Sequence, residues 1–269
     1  KHVINLGIVM GHPQGQLSLR LQTAQQAGFF LYRKQIETVH LLRNKYGYDD
    51  YIHLKVVPGA SKDSIKRAMA LANRVSINIE AATPSGLAEL SSTKDYNKDI
   101  LKRLSWINSL QHKSTTYPNS THTTQLIVGA NNESDKEILT RMEKIYKNSD
   151  LKRTYFSAFT PIEETDLGNK QACSTDRTAK LYNADSLLND YHYNVKELVF
   201  DENDKLSLEQ DPKILSAEKM DIFPVEINRA PFVELIRVPG IGVKSARQII
   251  SIRKKMPFSN KEQLRKLGV

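Results

Sequence analysis

The sequence predicts an α/β chain built on a parallel sheet, followed by a small all-α module at its C-terminal end. Three observations carry this. Between residues 37 and 200, short β-branched runs alternate with segments whose apolar residues recur at helical spacing, the pattern of strands joined by right-handed crossovers. Beyond about residue 221, strand-like runs stop, and two helical segments flank a turn holding a proline and two glycines. Charge divides the chain in the same way: of a net +9, residues 221–269 hold ten Lys and Arg against four Asp and Glu, and residues 1–36 hold four basic residues and no acid. The body is close to neutral and the basic excess sits at the two ends, which fits a polyanion-binding attachment on a globular domain.

Residues 1–36 differ in character from the rest of the chain. VINLGIVMG is shorter than the roughly 18 to 20 apolar residues that cross a bilayer, and its flanks do not make a secretion signal, so a cytoplasmic protein is expected. LSLRLQTAQQAGFFLYRKQ is rich in Gln and Leu and reads neither as a clean strand nor as a clean helix. The segment stands as an atypical, unassigned leader.

The alternating region, 37–200, divides element by element. IETVHLLRNKY (36–46) spaces Ile36, Val39, Leu42 and Tyr46 as a helix does, and YIHLKVVPG (51–59) is a strand stopped by Pro-Gly. SKDSIKRAMALANR (61–74) is a helix with Ser61 as cap. RVSINIEAAT (74–83) is β-branched and alternating. KDYNKDILKRLSWINSL (94–110) is helical by period, TTQLIVGA (123–130) is a strand ending at Gly129, and NESDKEILTRMEKIYK (132–147) is a helix. RTYFSAF (153–159) and DRTAKLYNADSLLNDY (176–191) add a strand and a helix. Four clear strands are fewer than a closed (β/α) barrel needs, so an incomplete barrel is expected.

In such folds ligands bind at the C-terminal strand ends. Pro58-Gly59-Ala60, Glu80-Ala81, Gly129-Ala130-Asn131 and Ser157-Ala158-Phe159 fall there, mostly small residues that leave room, with Glu80 the obvious charge. His53 and Lys55 share one strand face by the two-residue period. ENDKLSLEQDPKILSAEKMD (202–221) is polar and acidic, and 201–221 reads as a linker.

In the last module, 222–269, Asn228 is placed to cap a helix whose first turn holds Pro231. Phe232, Leu235 and Ile236 form its apolar stripe, and it stops before Pro239. Gly240 and Gly242 permit backbone angles that side chains forbid. Ile241 between them plugs the seam with a second helix, which starts at about Val243 and buries Ala246, Ile249, Ile250 and Ile252. The turn leaves a nest of N–H groups at a helix N-terminus, where a phosphate binds, with Lys244 and Ser245 beside it and Arg247 one turn on. This resembles the helix-hairpin-helix module of DNA repair and recombination proteins. The resemblance implies that Gly240, Ile241, Gly242, Val243, Lys244, Ser245 and Arg247 meet the DNA backbone, without sequence specificity. FSNKEQLRKLGV (258–269) reads as the start of a second hairpin, with Ser259 as cap and Leu264 and Leu267 apolar.

The body carries a resemblance as well. YIHLKVVPGAS, RVSINIEAAT, TTQLIVGANNESDKEIL, LKRTYFSAFTPI, LYNADSLLNDY and FPVEINRAPFVELIRVPGIGVKSAR look like consecutive blocks of a family of DNA modification or repair radical SAM proteins. These join a partial (β/α) barrel to a helix-hairpin-helix tail. The resemblance implies S-adenosylmethionine and a [4Fe–4S] cluster as cofactors, with Glu80, Gly129, Glu133, Ser157 and Phe159 close to the S-adenosylmethionine. The chain departs from the family on its N-terminal side: the Cys-x3-Cys-x2-Cys motif that holds the cluster is absent, the first strands and the block before the Glu37 helix are replaced by the acid-free leader, and Cys173 is the single cysteine. One chain cannot then supply the cluster's thiolates or an internal disulfide. Three accounts stay open: the C-terminal part of a split or truncated gene product, a degenerate homologue kept for DNA binding, or a chain completed by a second, N-terminal one. By class, a radical SAM DNA-modifying protein, catalytically incomplete as a single chain, stands against a non-catalytic DNA-binding scaffold. No catalytic residue is assigned. Exposed strand edges of an open half-barrel are expected to cause self-association.

Overall fold

The structure is a computed structural model of the 269-residue chain. It describes residues 4–5, 17–113, 120–266 and 268, with side chains described for 28–111, 120–266 and 268. The chain forms two compact units, Lys1–Glu133 with Ile145–Ala172, and Ser134–Lys144 with Cys173–Val269.

The first unit is built on a parallel sheet. Strands β1 (Ile4–Asn5), β2 (Ile52–Lys55), β3 (Arg74–Ser76), β4 (Thr121–Val128) and β5 (Arg153–Ala158) lie side by side in chain order, every pair parallel. β1 is a two-residue edge, so four strands, β2–β5, make up the body of the sheet. No strand pair closes it into a barrel among the described residues.

Helix α1 (Leu17–Asn44) runs through the boundary expected at residue 36 and takes in most of the leader. Tyr32, Ile36 and Val39 recur four and three residues apart and are all buried, giving the helix one continuous packing face. The Gln, Leu and Ala of its first half are good helix formers, a propensity that outweighs the lack of a visible cap or amphipathic period. Most of VINLGIVMG lies outside the described residues. Helix α2 (Lys62–Leu71) starts where expected: the Ser61 hydroxyl accepts from the Ser64 N–H at 3.2 Å.

Helix α3 (Pro84–Leu90) falls between the elements expected at 74–83 and 94–110, where none is expected. Its start is built by Thr83, whose hydroxyl accepts from the Gly86 N–H at 3.0 Å, and by Pro84 in the first turn. A π-helical stretch, Tyr96–Leu101, is capped by Asp95 and runs directly into α4 (Lys102–Lys113). Helix α5 (Asp135–Asn148) connects β4 to β5.

The two faces of the sheet differ. One carries Leu54, Val75, Leu126, Val128 and Phe156, all buried, and α2 and α4 pack against β3 and β4. The alternate positions carry His53, Lys55, Arg74, Gln125, Arg153 and Tyr155, which are half-buried or exposed, with Ser76 and Thr123 buried between them. No helix of the described residues is long and apolar enough to cross a membrane.

The second unit holds α6 (Thr175–Asn189), a 3-10 turn (Val195–Glu197), α7 (Pro212–Glu218), α8 (Phe232–Leu235), α9 (Val243–Arg253) and α10 (Lys261–Arg265). The stretch expected as a linker, 201–221, is folded into this unit. Leu206 is buried and its N–H donates to Asp135 at 2.9 Å, while the same carboxylate accepts from Arg177 at 2.7 Å. α7 is capped by Asp211 and buries Pro212, Ser216 and Ala217. It seats small residues rather than an apolar stripe, which is why its composition reads as a spacer.

Candidate nucleic-acid interface

Helices α8 and α9 and the turn between them share one small core. Ala230, Leu235, Ile236, Ile241, Ala246 and Ile249 are buried together, with Phe232, Val238, Ile250 and Leu264 packed against them. Ile241 fills the seam as expected, whereas Ile250 and Ile252 are only half-buried.

The caps differ from the sequence reading. Pro231, not Asn228, precedes the first helical residue. Asn228 instead bridges to the far side of the module: its amide donates to the Phe258 carbonyl at 2.9 Å and accepts from the Phe258 N–H at 2.8 Å. Arg253 donates to the Ile227 carbonyl at 2.7 Å and closes the same seam. At α10 the cap is Asn260 rather than Ser259. Asn260 accepts from the Gln263 N–H while Gln263 accepts from the Ser259 N–H, which shifts the helix start by one residue. Leu267 lies outside the described residues.

The two glycines of the turn do different things. Gly240 sits at φ +86, a left-handed conformation that costs an L-residue strain. Gly242 sits at φ −88 and ψ 170, open to any residue, so its value is not conformational freedom. It is the N-cap of α9, and no side chain caps that helix. Among the described residues no acceptor meets the N–H groups of Gly242, Val243, Lys244 or Ser245. These four amides are the unsatisfied donors that begin any helix, here at the positive end of its dipole. Pro239, Gly240, Lys244 and Arg247 are exposed around them and Ser245 is half-buried. No acid lies in the first turn of α9, and neither Lys244 nor Arg247 has an ion-pair partner among the described residues.

Ile241 leaves the expected contact set. Its side chain is buried, its N–H donates to the Val238 carbonyl at 3.1 Å, and its own carbonyl accepts from the Lys213 ammonium at 2.6 Å.

That last bond belongs to a set of anchors the sequence did not reveal. Lys213, on α7, also lies 4.6 Å over the Tyr191 ring. Burial pushes its pKa down from 10.5 to about 8, with Asp211 opposing and Arg237 adding to the effect. Arg237, at the end of α8, is buried. It pairs with Glu197 at 2.9 Å, donates to the carbonyls of Tyr191 (2.9 Å) and His192 (3.2 Å), and stacks 3.9 Å over the Tyr193 ring. Burial holds the Tyr193 hydroxyl up at about 12. An arginine among basic neighbours looks like a phosphate contact; the one available signal is its place directly after the apolar pair Leu235 and Ile236.

In the first unit, four of the five expected cofactor residues come together at the C-terminal edge of β3–β5. Glu80 is at φ +62, bridges to Leu126, donates its N–H to Gln125 and accepts from the Ile127 N–H. Its carboxylate lies 3.5 Å from Lys94. Gly129 follows β4 at φ +87, Ser157 pairs with Ile127 in register, and the Phe159 N–H donates to Val128 at 2.9 Å. Glu133 is used differently. Its buried carboxylate accepts from the N–H groups of Ala82 (2.9 Å) and Thr83 (2.7 Å) and from the Thr83 hydroxyl (2.6 Å), so it secures the start of α3. A side chain at Gly86 would collide with that carboxylate and with the Asn131 amide.

The residues present do not fit a [4Fe–4S] cluster. Cys173 is the chain's one thiol, and the described residues gather no group of three or more His, Cys, Asp or Glu. Such clusters are held by several thiolates.

Compared with known proteins, residues 222–268 match a family model described as a helix-hairpin-helix motif. No curated protein and no solved structure matches the chain.

Proposed function

We propose that the C-terminal hairpin grips the backbone of duplex DNA without reading its bases. The observation that carries this is the set of four bare amides at an exposed glycine turn, flanked by Lys244 and Arg247, inside the segment matched as a helix-hairpin-helix motif. Such amides suit a phosphate oxygen, which has no sequence identity, and the two cations add attraction that salt screens. Gly240, Gly242, Val243, Lys244, Ser245 and Arg247 form the contact surface. The test is fluorescence anisotropy with short duplexes of unrelated sequence. Gly242→Asp with Lys244→Glu weakens binding to all of them equally, and the log–log salt slope flattens by about 0.9 for every phosphate that the variant no longer neutralises. An unchanged, salt-insensitive affinity overturns the reading.

A second reading concerns the first unit. The gathering of Glu80, Gly129, Ser157 and Phe159 at one strand edge supports an S-adenosylmethionine site of the radical SAM type. Radical chemistry in this reading needs a second chain that brings the cluster cysteines. Calorimetry with S-adenosylhomocysteine tests the site alone: Glu80→Gln weakens a measured heat, and no heat from the unaltered chain overturns it.

A further inference from the structure

Parallel sheets are ordinarily covered on both faces and read as continuous apolar runs. One face of β2–β5 departs from the apolar half of that pattern, being polar and basic. Lys55, Ser76, Thr123 and Arg153 are direct partners across the four strands, a row about 14 Å long with a cation at each end. The neighbouring rows on this face carry Arg74 beside His53 on one side and Tyr155 beside Gln125 on the other. None of the four strands contains an Asp or Glu.

The aromatic side chains are interleaved with these cations. The Arg74 guanidinium lies 5.7 Å over the Tyr51 ring and 3.5 Å from the Tyr155 hydroxyl, and the Arg153 guanidinium lies 5.3 Å over the Tyr155 ring. Tyr51, Lys55 and Arg153 are exposed and Arg74 and Tyr155 are half-buried, while Ser76 and Thr123 in the middle of the row are buried, so the accessible groups are those at its two ends and in the flanking rows. Among the described residues neither Lys55 nor Arg74 has a carboxylate partner. His53 responds to the field: burial first, then Arg74 and Lys55, hold its pKa below the usual value. Strands that gather positive charge and planar rings and contribute no acid are matched in charge to a polyanion that carries planar groups.

We propose that this face is a second nucleic-acid site and takes a single strand, with Lys55, Arg74 and Arg153 on phosphates and the rings of Tyr51 and Tyr155 under bases. A duplex keeps its bases stacked on one another, whereas an open strand offers both the charge and the π-faces that such a surface uses. The site is independent of the hairpin, and the two are separable.

The experiment measures anisotropy of a labelled oligodeoxythymidylate, and of a duplex, with the full chain. Lys55→Glu with Arg153→Glu alters exposed positions, and a thermal melt confirms that the variant folds. Single-strand affinity falls about tenfold or more and its salt slope flattens by about 1.4, the loss of two phosphate contacts, while duplex affinity is unchanged. Tyr155→Leu weakens single-strand binding and Tyr155→Phe preserves it. The hairpin variant Gly242→Asp with Lys244→Glu still binds the single strand. If the sheet variant binds the single strand like the unaltered chain, or loses single strand and duplex in parallel, the proposal is overturned.

Discussion

Arg237→Met separates a support from a contact. The substitution removes a buried guanidinium that makes three hydrogen bonds and stacks on Tyr193. Breaking a buried pair by deleting one partner costs about 3–5 kcal/mol. Here the Glu197 side chain is 27% exposed and keeps its bonds to Asn194, so water compensates it in part and the lower end, about 3 kcal/mol, applies. With roughly 2–4 °C per kcal/mol for chains of this order of size, the melting temperature falls by roughly 6–12 °C. Lys244→Met removes the same charge from an exposed position and shifts stability by less than about 0.5 kcal/mol, while duplex binding weakens. Circular-dichroism melts and duplex titrations of the two variants side by side decide the matter. If Arg237→Met melts like the unaltered chain yet loses DNA affinity, the residue touches DNA and the account of it as an anchor is wrong.

The same geometry sets three further expectations. Gly242→Ser leaves stability unchanged or slightly raised, because φ −88 suits serine and its hydroxyl caps α9, but duplex affinity drops as that hydroxyl takes an amide from the phosphate; equal affinity would refute the role of the amides. Lys213 has a folded pKa of about 8 against an ordinary 10.5, so above pH 8 the folded chain sheds a proton that the unfolded chain retains, and its contribution to stability rises with pH. Tyr193, raised to about 12, acts in the opposite sense above pH 10, so the window is pH 8–10; urea midpoints across it climb for the unaltered chain and climb less for Lys213→Met, and parallel curves would exclude Lys213 as the source. Glu133→Gln puts an amide where three donors converge and costs about 1–3 kcal/mol, measurable by urea unfolding, whereas a neutral result would mean that α3 is held by other contacts.

Local signals made much of this legible in the sequence. Ser61 as a cap, the strand ending at Gly129, and the apolar stripes of α8 and α9 each depend on residues a few positions apart, and each appears in the structure. The misses share a cause in long-range partnership. Asn228 looked like a cap because its partner, Phe258, is 30 residues away. Glu133 looked like a ligand group because the amides it accepts from lie about 50 residues earlier. The sequence assigns Arg237 and Lys213 no role, because the carbonyls of Tyr191, His192 and Ile241 that they meet lie 28 to 46 residues away. The polar sheet face is half visible in the sequence, since the two-residue period puts His53 and Lys55 on one side, but its extent needs the register that aligns Lys55 with Arg153 across four strands.

The bond from Lys213 to the hairpin carbonyl bears on how the chain could be divided. A fragment cut at residue 222 would contain every residue of the matched motif yet leave the Ile241 carbonyl without its ammonium and Arg237 without Glu197, Tyr191 and His192. The smallest transplantable piece is therefore larger than the motif. It begins no later than Cys173, and it also needs 134–144, whose Asp135 and Glu143 hold Arg177, Leu206 and Val195. Anyone grafting this hairpin onto another protein would have to carry that scaffold along with it.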